Sequence, residues 1–222
     1  MEGQPLDLNL QKRINKTQTL IVFAIIFSLY NIVVVPILTY TIRLNTYYPI
    51  YETVIFWLNI SFAIFDFIIL YIILNKKLRR PQKLAFYLLA YKLVSLCIAI
   101  IFLFRYLSLV NFFSFISQAI VVTLLWFFYL KIRNKQTYPN LAKALLIIFA
   151  IIFIIDMCRQ FVFGQNSTSV ALNLGESLAF HSASLANYFV IFVFSWIACM
   201  SIENEGFYKY FIEALPKKAI EV

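Results

Sequence analysis

The sequence predicts an all-α fold: a polytopic integral membrane protein built as a bundle of six transmembrane helices, with both termini cytoplasmic and a short C-terminal interfacial helix. Three observations predict it. Of 222 residues, 63% are hydrophobic and 13% charged, against roughly 45–50% and about 25% in soluble domains. Six apolar stretches each approach or exceed the roughly 20 residues that a helix needs to cross a bilayer. The basic residues gather in alternate connections between those stretches. The apolar runs are continuous, without the short alternating segments of a membrane barrel. Backbone groups in lipid must pair within their own segment, which leaves helices.

The first stretch, 19–42, follows Lys12, Arg13 and Lys16 as a signal peptide would. Its apolar core is too long for one, and it runs on into Pro36-Ile37-Leu38-Thr39 without a small-residue cleavage site. It is expected to be a signal anchor and first span, behind a cytoplasmic segment over 1–18. The other spans are expected over 53–74, 84–107, 112–131, 141–163 and 184–202, which makes 19–202 one transmembrane domain. The loops Asn75–Lys83 and Ile132–Asn140 are both basic, with one proline apiece, Pro81 and Pro139, near the next helix start, where proline is favoured. Their likeness invites an internal-repeat reading that the rest of the chain does not extend. The longest outer connection, Gly164–Ala183, carries the glycosylation pattern Asn166-Ser167-Thr168, here read as a chance match. The tail, 203–222, repeats Phe207, Tyr208, Phe211, Ile212 and Leu215 at helical spacing. This predicts an amphipathic segment at the cytoplasmic interface.

Charge sets the expected direction. Of the 19 basic residues, all but Arg43, Lys92, Arg105 and Arg159 fall in the N-terminal segment, the 2–3 and 4–5 connections or the tail. The positive-inside rule puts those parts in the cytoplasm. The net charge of +9 is this asymmetry, so direct nucleic-acid binding is not expected. Arg79, Arg80, Phe207 and Phe211 are instead candidates for contact with lipid or a cytosolic partner. Trp57, Trp126, Trp196 and the tyrosines Tyr47, Tyr48 and Tyr51 fall near span ends, as interfacial belts do. The abundance of Ile, Phe, Lys and Asn suggests an AT-rich genome, and the expected location is a bacterial inner membrane.

Ionisable groups inside spans are costly and mark a partner or a water path. Asp66 lies eight residues from the inner end of the second span and Lys92 eight residues into the third, both about 12 Å deep at 1.5 Å per residue. An Asp66–Lys92 ion pair follows, with Thr123 at a similar level and Asn59 one heptad from Asp66. Its roles divide between a register-setting neutral pair and a step in ion or proton passage. A second group lies outward: Asp156, Arg159 and Gln160 on the fifth span, Arg105 on the third, the stripe Asn111, Ser114 and Gln118 on the fourth, and Glu176 and His181 from the last outer loop. Together they are expected to line a cup open to the outside, or else a salt-bridged interfacial layer. Ser28 and Asn31, near the midplane of the first span, suit interhelical hydrogen bonds.

Catalytic constellations are missing. The single His lies outside the spans, the two intramembrane Asp sit in opposite halves, and Gly-rich phosphate loops are absent. Cys97, Cys158 and Cys199 are scattered in apolar runs, which argues against a disulfide scaffold or Cys-based zinc site. No cofactor, metal or enzymatic activity is expected. All four glycines, Gly3, Gly164, Gly175 and Gly206, fall outside the span interiors, which weakens a carrier built on broken helices and small-residue contacts. The leading expectation is an oligomeric pore-forming or membrane-perturbing effector or accessory subunit that acts with a partner, as in a defence or toxin system. The alternatives are a small-solute carrier or capture subunit using the outer cup, and a structural membrane subunit.

Overall fold

A computed structural model describes residues 8–43, 50–75, 81–105, 109–163 and 174–213. Among them the chain is helical, with no strand. Six long helices run over Leu8–Arg43 (α1), Ile50–Leu74 (α2), Pro81–Arg105 (α3), Leu109–Asn134 (α4), Pro139–Phe163 (α5) and Leu174–Glu203 (α6). Each contains a stretch long and apolar enough to cross a membrane. A four-residue helix, Glu205–Tyr208 (α7), and one wide i→i+5 turn, Lys209–Glu213, complete the described chain.

The helix boundaries have local causes. Pro81 and Pro139 open α3 and α5, where a missing N–H costs nothing and the fixed φ suits the first turn. At the other end of α4, Lys135 takes a left-handed φ of 57° while its amide bonds to the Lys131 carbonyl at 3.0 Å. That is the usual left-handed stop, and it separates α4 from α5 by a short turn. Asn204 breaks α6 from α7: its backbone is extended, and its side chain accepts the Phe207 amide at 3.0 Å as an N-cap. Pro36 lies inside α1 and removes one hydrogen bond there.

α6 is the central helix. It packs on α1, α4 and α5, while α2 lies on α1 and α3 on α4. Burial follows this plan: Val190, Ile191, Val193, Phe194, Ile197, Ala198 and Cys199 are all inaccessible on α6. The outer helices instead leave Phe65, Ile68, Leu93, Val94, Ile147, Ile151 and Ile154 exposed. In water such an apolar exterior is prohibitive; against lipid it costs nothing. The α2–α3 hairpin does not close on itself, and these two helices come close at few points.

Two expectations are corrected here. The helix carrying the sixth span begins at Leu174, so the backbone of Glu176 and His181 belongs to α6 rather than to a loop. The tail segment turns its apolar face inward. Phe207 and Phe211 are each 1% exposed, packed with Ile212 into the core shared with α1 and α6, so neither is available to a bilayer or partner. Their rings pack in a tilted pair with centres 4.7 Å apart. Gly206 allows this close approach, because a Cβ there would fall 2.7 Å from the Leu10 side chain.

Candidate functional site

The first candidate site spans the loose seam between α2 and α3. Lys92 Nζ stands 3.3 Å from Asp66 Oδ1 and 3.4 Å from Oδ2. Both side chains are 4% exposed. Tyr91, beside Lys92 on α3, donates its hydroxyl to the same Asp66 carboxylate. The ammonium also lies 4.6 Å from the Tyr91 ring centre and 5.6 Å from that of Phe194 on α6. Phe62 and Phe65 of α2 pack on Tyr91 at 5.8 and 6.0 Å. The carboxylate is thus answered by two donors from α3, and the ammonium by a carboxylate and two aromatic faces. Three polar side chains and the rings of Phe62 and Phe65 thus connect α2 and α3 here.

Thr123 and Asn59 do not join this cluster. Thr123 donates to the Ala119 carbonyl of its own helix at 2.8 Å, and Asn59 is exposed. Sequence reasoning missed Tyr91, although a phenol adjacent to a buried lysine is a signal for a shared acceptor.

The second candidate site lies further from the basic end. Ser28 Oγ and Asn31 Oδ1 on α1, and Ser117 Oγ and Gln118 Oε1 on α4, are buried with no hydrogen-bond partner among the described residues. Asp156 on α5 is 1% exposed. Counting at 1.5 Å per residue from Arg13, Lys131 and Lys143, Ser28, Ser117 and Asp156 all stand about 20–22 Å along the bundle. Phe194, which marks the Asp66–Lys92 level, stands about 14 Å from Glu203 by the same rise. The Asp66–Lys92 pair and the group Ser28, Ser117 and Asp156 therefore stand at two levels, about 7 Å apart. Tyr30 and Ser182 join α1 to α6 through their hydroxyls at 2.6 Å. Arg105 is exposed at the end of α3. Arg159 and Gln160 lie in the last turns of α5; their side chains, with those of His181 and Asn111, lie outside the described residues, as do Arg79 and Arg80, Tyr47 and Tyr48, and the Asn166 pattern. Of the residues expected to line the outer cup, Gln118 and Asp156 are thus placed inside α4 and α5 and Arg105 at an exposed helix end.

The basic end carries a clamp that sequence reasoning did not foresee. Glu203, the last residue of α6, meets Arg13 of α1 at 3.4 Å and Lys143 of α5 at 3.1 Å. Lys131 of α4, 7% exposed, donates to the Ser201 carbonyl at 2.6 Å and pairs with Glu205 at 3.0 Å. A cation against the last carbonyls of a helix is favourable. Trp196 donates its indole N–H to Thr17 at 3.0 Å, and Gln18 donates to Tyr210 at 3.1 Å. Trp196 therefore faces α1, while Trp57 and Trp126 are exposed. The available signal was two acids, Glu203 and Glu205, ending a helix among basic connections.

Among the described residues, no three His, Cys, Asp or Glu side chains group closely enough to hold a metal ion. No protein-family model, curated protein or solved structure matches the chain. The fold and site define a bundle of six helices, each with a stretch long and apolar enough to cross a membrane, and a buried ion pair between α2 and α3. Its function must be argued from these residues.

Proposed function

We propose that the chain is a multi-pass protein of a bacterial inner membrane, with both termini cytoplasmic, that conducts ions as a pore-forming or membrane-perturbing subunit. The carrying observation is the Asp66–Lys92–Tyr91 cluster, which bridges α2 and α3, two helices that come close at few points among the described residues. An ion pair at such a seam is a natural gate. It is neutral when closed, and parting the helices exposes both charges to the same path. The buried Ser28, Ser117 and Gln118 atoms, without a hydrogen-bond partner among the described residues, supply a second polar level about 7 Å further along the bundle. Orientation is supported by the gathering of Arg13, Lys131 and Lys143 at one end. A single bundle encloses little open space, so the proposed conducting form is a homo-oligomer, or a complex with a protein partner on the cytoplasmic side. The reading is non-enzymatic.

The test is membrane potential in cells that express the protein at matched levels. Wild type is expected to depolarise the membrane, and Asp66→Asn or Lys92→Met to change the extent at least severalfold. An unchanged potential on expression of wild type contradicts the proposal.

A second reading, a carrier or capture subunit for a small solute, is favoured by Ser28, Asn31, Ser117 and Gln118, whose buried polar atoms have no hydrogen-bond partner among the described residues. It predicts a solute that raises thermal stability by mass action, with the effect lost in Asp156→Ala. A broad solute screen that finds no stabilisation counts against it.

A further inference from the structure

At the basic end, between α3 and α4, lies a cleft of about 330 Å³ lined by Gln82, Lys83, Phe86, Tyr87, Tyr129 and Arg133. Its size falls within the roughly 300–1,000 Å³ of small-ligand sites. The lining divides into two parts. Lys83 and Arg133 are exposed cations, and neither meets a carboxylate among the described residues; Arg133 reaches only the Tyr129 hydroxyl, at 3.4 Å. This contrasts with Arg13, Lys131 and Lys143 at the same end, all held by Glu203 or Glu205. Beside the cations stand aromatic faces open to the surroundings: Phe86 is 54% and Tyr87 61% exposed, and Phe86 packs on Tyr129 at 6.4 Å.

We infer that this cleft binds the phosphate of an anionic phospholipid, with Lys83 and Arg133 holding the phosphate and the rings of Phe86, Tyr87 and Tyr129 holding the adjoining glycerol and upper acyl chain. Charge complementarity names the ligand: two unpaired cations call for an anion, and rings at the same level call for an apolar continuation. Basic pockets between helices on the cytoplasmic side are suited to such headgroups. Arg133 suits the phosphate geometrically, since its planar fork can bind two oxygens. A free phosphate ion shares the first half of this chemistry and lacks the second. The inference rests on the membrane reading of the helices and is independent of conduction.

The test uses the full chain in phosphatidylcholine bicelles titrated with phosphatidylglycerol, read as a rise in melting temperature. Lys83→Ala/Arg133→Ala is expected to weaken the apparent affinity for phosphatidylglycerol roughly 30-fold, at about one kcal/mol per cation near the surface. The control Lys12→Ala/Lys209→Ala, which removes two exposed cations elsewhere at this end, keeps wild-type affinity. Equal weakening in both variants would reduce the effect to diffuse surface charge and overturn the site. Full stabilisation by inorganic phosphate alone would show an anion site without a lipid. A second measurement needs no charge variant. Trp126 lies 5.9 Å from Tyr129, so brominated phosphatidylglycerol should quench wild-type fluorescence more than brominated phosphatidylcholine. That excess should vanish in Trp126→Phe. Equal quenching by the two lipids contradicts the inference. Membrane retention after alkaline extraction is scored in parallel, so a protein that fails to insert is distinguished from one that inserts without binding lipid here.

Discussion

Replacing one member of the Asp66–Lys92 pair should destabilise the bundle far more than replacing both. Each side chain is 4% exposed and within 3.4 Å of its partner, so a single change leaves a buried charge without its counter-ion, at a cost of about 3–5 kcal/mol. The two single changes reach similar losses by different routes. After Lys92→Leu, the Asp66 carboxyl keeps the Tyr91 hydroxyl, which sets its loss at the lower end, about 3 kcal/mol. After Asp66→Leu, the ammonium keeps only the Tyr91 and Phe194 rings, which offset part of the penalty, about 1–2 kcal/mol. Its expected loss is again about 3 kcal/mol. The double Leu variant removes both charges and should fall within about 1 kcal/mol of wild type. Equilibrium unfolding in mixed micelles closes the cycle, with a coupling of about 5 kcal/mol between the two sites. In melting temperature, each single change should cost roughly 6–12 °C at 2–4 °C per kcal/mol. Additive losses in the double variant would refute the pairing. The charge swap Asp66→Lys/Lys92→Asp should likewise recover folding that either single swap damages.

The clamp at the basic end should divide by burial. Lys131→Met removes a buried donor to the end of α6 and is expected to cost about 1.5–3 kcal/mol, whereas Lys143→Met loses a half-exposed pair at about 0–1 kcal/mol; thermal melts in detergent compare them directly. Phe211→Ala should destabilise by about 3–5 kcal/mol, as a core deletion does, and a change below about 1 kcal/mol would show that the tail does not dock as described. Ser117→Ala deletes a buried hydroxyl that has no partner among the described residues. It should be neutral or stabilising, and a loss above about 1 kcal/mol would reveal a bound water or ion there.

Six helices were legible in the sequence because 20-residue apolar runs depend on composition alone, and so was the Asp66–Lys92 level, because helical rise converts residue number into depth. Lateral arrangement was not legible. Hydrophobicity is nearly uniform around each helix, so no stripe says which face meets which neighbour, and the central place of α6 appears only in the packing. The tail shows the same limit. Phe207 and Phe211 have an amphipathic spacing that suits a bilayer surface and a bundle end equally, and only the packing, which buries both rings, places the segment on the bundle. The start of α6 was misplaced because Leu174–Ala183 is mixed in polarity, and apolar content marks where a helix enters lipid, not where it begins.

Ion flux from proteoliposomes tests the central claim most directly. Purified wild-type protein, reconstituted at defined copy number, should dissipate an imposed potassium gradient, and the Asp66→Asn and Lys92→Met proteins, reconstituted to the same level, should differ from it at least severalfold. Wild-type vesicles as tight as empty ones, or variants that conduct as wild type does, would contradict a conducting role for the Asp66–Lys92 seam.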